Sequence, residues 1–285
     1  MIDKEKTIME LNLADDFLFA KVMSDTDICR KVLEKILNVP IKKVDVPTTQ
    51  KTINVLYESK GIRLDVYVND DKGTIYNVEM QRGKKKELPK RSRYYQGNID
   101  LDLINAGGYY TELKKTYIIF ICTFDPFSDR RHIYTFENRC QENFSLTLGD
   151  EVTKIFLNTR GKMDDIDADL KEFLSYVENT TDAFAAQVSY PLIKEIHKRV
   201  TKVKQSKKME VEYMTLLMRD RENLEQGREE GRKEGHIEGR IEGTLLATKI
   251  LKLHTKGVNS IEIAASLDLP LDYVKDTIVT FENDL

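Results

Sequence analysis

Apolar residues first recur at helical spacing over residues 15–37, where Phe17, Phe19 and Val22 are followed by Ile28, Val32, Leu33 and Ile36. The two groups predict two helices, with Asp25 or Asp27 as cap of the second and Pro40 as its stop. The period then falls to two. In "GIRLDVYV" (61–68) Ile62, Leu64, Val66 and Val68 alternate with Arg63, Asp65 and Tyr67. In "GTIYNVEMQRG" (73–83) Tyr76, Val78 and Met80 alternate with Ile75, Asn77, Glu79 and Gln81. "NDDKG" between them is turn chemistry, so 61–81 reads as a β-hairpin. "RYYQGNIDLDLINAG" reads as a helix stopped by Gly107 and Gly108, and "TYIIFICTF" (116–124) as a strand covered on both faces. Helix, strand, strand, helix, strand is the order of an α/β sandwich with a mixed sheet.

Further along, "VTKIFLN" (152–158) reads as a strand, "DLKEFLSYV" (169–177) as a helix, and about 190–226 as a longer helical stretch. That stretch opens with Lys194, Lys198, Arg199, Lys202, Lys204, Lys207 and Lys208, a basic face of the kind usually left to solvent. The acidic cluster "MDDIDAD" (163–169) fails as a calcium loop, because Leu170 and Tyr176 stand where Gly and Glu are needed. It reads instead as an acidic helix start. From residue 226 Gly227, Gly231, Gly235, Gly239 and Gly243 recur every four residues. Each costs a helix about 1 kcal/mol against alanine. Either they admit a second helix at close range or the segment is a weakly helical spacer. The repeat drifts about 40° per step around a helix, and a self-associating helix is the expectation. Residues 259–278 have helix-turn-helix spacing, with Ile263, Ala264, Leu269, Val274 and Ile278 as packing positions. Asp268 stands at the turn, and Asp272 and Asp276 outnumber Lys275 on the second helix, which repels phosphate and points to a partner-contact module. The expected organisation is a core of residues 1–190, a helical linker at 191–245 and a small helical module at 246–285.

Composition narrows the classes. A net charge of −3 over 285 residues excludes a globally basic chain and leaves room for a local basic groove. No apolar run is long enough for a membrane span, and "MIDKEKTIMELNLADD" has no signal-peptide character, so a cytoplasmic protein is expected. Cys29, Cys122 and Cys140 read as reduced thiols, and four scattered histidines lack zinc spacing.

The candidate chemistry lies in the hairpin. A solvated sheet face explains Glu79 and Gln81 with no function at all. Yet Asp65 occupies the polar face of the partner strand, and strands ~4.8 Å apart bring two such acids onto one divalent cation. All-oxygen ligation suits Mg²⁺, with Mn²⁺ an alternative. Gln81 shares the face. A basic run then begins at once, with Arg82, Lys84, Lys85, Lys86, Lys90, Arg91 and Arg93 against Glu87. That convergence reads as phosphate chemistry.

"LDVYV", "VEMQ" and "LPKRSRYYQGNIDLDLINAGGYYTELKKTYIIFI", with "DDFLFAKVM" before and "IFLNTRG…LKEFLSYV" after, resemble the PD-(D/E)XK nuclease family transposases, also called recombination-promoting nucleases. The resemblance spans roughly residues 10–250. It implies a restriction-endonuclease-like α/β core and a metal-dependent DNA endonuclease that promotes breakage and recombination. By residue it implies Asp65 and Glu79 as catalytic metal ligands, with the Met80 carbonyl completing the shell. It also implies an acid from the first helix, with Asp16 the candidate and Asp15 and Glu10 its rivals. Gln81 stands where many such enzymes have Lys, and an amide has no proton to titrate, so its role is to orient water or phosphate. Arg82, Lys90, Arg91 and Arg93 are the expected DNA contacts, and Tyr94 and Tyr95 are expected in the core. A homodimer through the helical C-terminal region would supply two sites for two strands. The alternatives are a catalytically degenerate nucleic-acid-binding or partner-binding protein on the same fold, and an interaction protein whose tail does the work.

Overall fold

The computed structural model describes residues 6–53, 62–83, 86–104 and 107–283, which fall into two compact units, Met1–Tyr213 and Met214–Leu285. The first unit is built on one six-stranded sheet. Its strands are β1 (Thr48–Ile53), β2 (Ile62–Asn69), β3 (Ile75–Gln81), β4 (Thr116–Cys122), β5 (Ile133–Phe136) and β6 (Val152–Asn158), in the order β1-β2-β3-β4-β6-β5. β1, β2 and β3 pair antiparallel, β3, β4 and β6 parallel, and β5 runs antiparallel to β6. β2 and β3 are the predicted hairpin. Its turn is tied by Asp70, whose carboxylate accepts from the Lys72 and Thr74 N–H groups and from the Tyr76 hydroxyl. Gly73 supplies the positive φ of 79° that the turn requires.

A parallel pair needs a crossover, and α3 (Leu88–Leu103) makes it between β3 and β4. The helix starts a turn earlier than the aromatic run suggests, with Pro89 in its first turn, and ends before Gly107. Leu88, Ser92, Tyr95, Gln96 and Ile99 point inward at helical spacing, while Lys90, Arg93, Tyr94 and Leu101 are exposed. Leu88, Tyr95 and Ile99 pack on Ile75, Ile118, Phe120, Cys122 and Phe156 of the sheet.

This packing overturns the solvated-face reading of β3. All seven residues of the strand are buried, with Asn77 0 %, Glu79 1 % and Gln81 6 % exposed. Alternation along a strand reports polarity, not solvent. Here the polar side is closed over by α3.

The remaining helices follow the apolar periodicity. α1 (Asp16–Met23) and α2 (Thr26–Leu37) are the predicted pair, and Asp25 caps α2 by accepting from the Ile28 N–H at 3.3 Å. The stop is not Pro40 but Asn38, which turns the chain out of the helix at φ 51°. α4 (Ala168–Glu178) begins at Asp167, whose carboxylate accepts from the Leu170 N–H at 2.8 Å, so the acidic cluster is a helix start as expected. α5 (Asp182–Gln187) and α6 (Pro191–Lys204) follow, and α6 buries Leu192, Ile193, Ile196 and Val200 within the first unit.

α7 (Lys207–His254) continues helically through the whole glycine repeat. Around each of its five glycines, a Cβ would meet nothing within 4 Å among the described residues. In the second unit α8 (Ser260–Leu267) and α9 (Leu271–Asn283) bury Ile263, Ala264, Val274 and Ile278 around Ile250 of α7, with Leu269 packed alongside. Asp268 takes the left-handed turn conformation, φ 53°, that glycine usually supplies. No described helix is long and apolar enough to cross a membrane.

Candidate active site

The β2–β3 ladder runs from Asn69↔Ile75 to Val66↔Val78. One step further, where Asp65 meets Glu79, side chains take over from the backbone. The Asp65 N–H donates to Glu79 Oε1 at 3.1 Å, and the Met80 N–H donates to Asp65 Oδ2 at 3.0 Å. Each carboxylate is thus held by the main chain of the other's strand. On the opposite side, β1 pairs through Thr49↔Val66 and Lys51↔Leu64, which leaves Gln50 facing Asp65 at φ 57°. A non-glycine residue in that conformation is uncommon, and such residues gather at functional sites.

α3 contributes the counter-charge. Arg91 Nη1 donates to Gln81 Oε1 at 2.8 Å, its Nη2 lies 3.3 Å from Glu79 Oε2, and its Nε donates to the Tyr95 hydroxyl at 2.6 Å. The guanidinium also lies 5.8 Å from the centre of the Phe120 ring. The other end of Gln81 donates to the Gly83 carbonyl at 3.0 Å. Its amide is therefore spoken for at both ends. Asn77, on the same face, is close enough to Glu79 to favour its charged form, but neither amide atom has hydrogen-bond geometry with any described partner.

Of the three acids proposed from the N-terminal region, two are engaged elsewhere. Asp15 is buried and accepts from the Asn12 N–H at 2.7 Å, from Lys6 and from Arg82. Glu10 accepts from the Thr7 N–H at 2.7 Å. Asp16 opens α1 one residue after the cap position and makes no side-chain hydrogen bond among the described residues. It acts electrostatically on Asp65.

The three acids form a field short of positive charge. Burial first, and then Asp16, raise the Asp65 carboxyl to about 6, against the Met80 N–H and the charges of Arg91 and Arg63. Burial and Asp65 push Glu79 well above the ordinary carboxylate range, against the Asp65 N–H and Arg91. Asp16 is solvent-exposed at its surface, but the dense atoms around it raise its carboxyl too, with Arg82 opposing. Desolvation wins over pairing at all three.

That field is what a hard divalent cation relieves, and every available donor is an oxygen. Asp65 Oδ1 has no hydrogen-bond partner among the described residues. No three acids among the described residues stand together as a ready metal cage. Mg²⁺ needs only one or two carboxylates, filling its shell with water and substrate phosphate. The residues present fit such an ion.

The basic residues are less uniformly disposed than the sequence run suggests. Lys90 and Arg93 lie on the outward stripe of α3, Arg82 is half exposed and paired with Asp15, and Arg91 turns inward to the acids. Lys84 and Lys85 lie outside the described residues. Tyr95 is core, as expected. Tyr94 is 40 % exposed, a correction that follows from its place on the outward stripe. Gln50, Asn77 and the inward turn of Arg91 were not anticipated. For Arg91 a signal exists: it stands four residues before Tyr95, within reach of the same inward edge.

No curated protein and no solved structure matches the chain. A family model for the PD-(D/E)XK nuclease family transposases matches residues 13–226, a span that holds the whole sheet, the acid pair and α3. With that match over most of its length, the chain belongs to the PD-(D/E)XK nuclease family transposases.

Proposed function

We propose that the protein is a Mg²⁺-dependent endodeoxyribonuclease that hydrolyses phosphodiester bonds, with Mn²⁺ an accepted substitute, and so promotes DNA breakage and recombination. The observation that carries the reading is the reciprocal clasp of half-buried Asp65 and buried Glu79, two acids fixed by each other's strands and left short of charge.

In this reading Asp65 and Glu79 would hold the ion, with the Asp16 carboxylate and the Met80 carbonyl as further oxygen donors. The bound ion would lower the pKa of a ligating water and neutralise charge on the phosphoryl oxygens. Gln81 orients the attacking water or a phosphate oxygen through an amide that Arg91 and Gly83 hold in place. Arg91 keeps a positive charge beside the amide where many relatives carry Lys. Arg82, Lys90 and Arg93 bind the DNA backbone, and their contacts position the duplex without reading sequence. The working form is a cytoplasmic homodimer joined through α7, because one acid pair per chain cuts one strand.

The test is supercoiled plasmid incubated with purified protein and Mg²⁺, Mn²⁺, Ca²⁺ or EDTA. Nicked and linear products with Mg²⁺ or Mn²⁺ alone are expected. A protein that binds the plasmid but leaves it intact under every condition would overturn the reading. It would favour a catalytically degenerate DNA-binding protein, to which a Gln81 amide tied to Arg91 and Gly83 in place of a titratable side chain also lends support.

A further inference from the structure

At the carboxyl ends of the parallel strands β3, β4 and β6 lies a polar cavity of roughly 460 Å³. Such strand ends are where ligands settle in open α/β sheets. Its rim includes Lys6, Arg82, Arg160, Asp15 and Glu178. Three cations face two carboxylates. The cavity also abuts the acid site directly, since Gly83 on its wall accepts from Gln81 and Asp15 on its wall precedes Asp16.

Arg160 is presented there by a fixed turn. The Thr159 N–H donates to the Cys122 carbonyl at 3.0 Å, and the Arg160 N–H donates to Oδ1 of the wholly buried Asn158 at 2.9 Å. Gly161 has no room to vary, because a Cβ there would come within 2.4 Å of the His132 ring. The side chain itself is 64 % exposed and meets Glu178 through Nε and Nη2, the latter at 2.8 Å, which leaves Nη1 without a partner among the described residues. Arg82 meets Asp15 through Nη1, and its remaining donors have no partner among the described residues. A guanidinium carries five N–H groups in a fork suited to phosphate, so both arginines hold acceptor-seeking edges in reserve.

We propose that this cavity seats a backbone phosphate of the strand cut at Asp65 and Glu79, adjacent to the scissile one, with Arg160 and Arg82 as its partners and Lys6 at its edge. The assignment rests on the nuclease reading. Glu178 and Asp15 hold the two guanidinia in place until the phosphate arrives, so Glu178 competes with the strand for Arg160.

The test is binding of a short fluorescein-labelled DNA duplex in EDTA across a salt series, by anisotropy, for wild type, Arg160→Ala, Arg160→Lys and Glu178→Gln. Arg160→Ala is expected to weaken binding roughly tenfold at low salt and to reduce the salt slope by about 1. Arg160→Lys keeps the slope while recovering only part of the affinity, because it retains charge without the fork. Glu178→Gln tightens binding, an outcome that damage to the fold does not produce. Wild-type affinity and slope in Arg160→Ala, or weaker binding in Glu178→Gln, would overturn the seat. Cleavage in Mg²⁺ by the same preparations separates the two claims. If the seat alone is wrong, wild type and Arg160→Ala cut alike; if the nuclease reading is wrong, wild type does not cut.

Discussion

β3 and α7 both carry residues that local rules disfavour, and the two elements resolve the conflict differently. β3 buries an amide, a carboxylate and a second amide on one face under α3. Burying such groups costs several kcal/mol apiece unless they are paired. α7 sets five glycines into an exposed helix, at about 1 kcal/mol each. In β3 most of the partners are present: the Asp65 N–H and Arg91 for Glu79, and Arg91 and the Gly83 carbonyl for Gln81. In α7 the pairs Glu229–Lys233 and Gln226–Glu230 contribute only tenths of a kcal/mol, and nothing within the described chain packs on the glycines. An unfavourable feature supplied with internal partners points to chemistry inside the fold. One without them among the described residues leaves room for an outward contact such as the proposed homodimer.

The comparison breaks most readily at Arg91. Arg91→Ala strands the Glu79 carboxylate, and a loss of roughly 2 kcal/mol is expected in urea unfolding. That is below the cost of opening a fully buried pair, because Arg91 is 27 % exposed and Glu79 can take up a proton. An unchanged midpoint would mean that Arg91 is not the partner of the acid. Gly161→Ala should cost a similar 1–3 kcal/mol by pushing on His132. A neutral result would show that the turn presenting Arg160 is soft.

The acid side has a pH signature. Asp65 is raised to about 6 in the fold against an ordinary 3.8, so the folded state binds more protons than the unfolded chain between those values. Stability of the metal-free protein from this group falls as pH rises through that window. Thermal midpoints of wild type minus Asp65→Asn should therefore decline from pH 4 to about 6, and added Mn²⁺ should recover the loss at neutral pH. A flat difference would remove the strained-acid account. The smallest expected effect lies in the tail. Gly231→Ala with Gly235→Ala should raise helix content and stabilise α7 by about 1 kcal/mol per site, read by circular dichroism. If the glycines seat a second helix, the same change lowers the oligomeric state in light scattering, which would sharpen the outward-pointing reading.

How much of this could be read from residues alone varies with position in the sheet. β2, β3, β4 and β6 were legible because interior strands carry dense apolar signal. β1 and β5, the two edges, were not. An edge strand pairs on one side only, and "TTQKTI" and "IYTF" have little reason to be apolar. The acid pair was legible as two positions on facing strands. Its clasp was not, since that depends on the ladder parting one step beyond Val66 and Val78. Whether β3's polar face was wet or covered lay beyond alternation, because the covering helix comes from another part of the chain.

The most direct test of the acid pair is to neutralise it. Asp65→Asn and Glu79→Gln keep the shape of the clasp and remove its charge. If the pair serves a metal and a phosphodiester, both variants lose plasmid cleavage in Mg²⁺ and Mn²⁺, while their metal-free thermal midpoints hold or rise. Variants that cleave like wild type, or that keep no activity only because they unfold, would make the clasp a structural device and contradict the account.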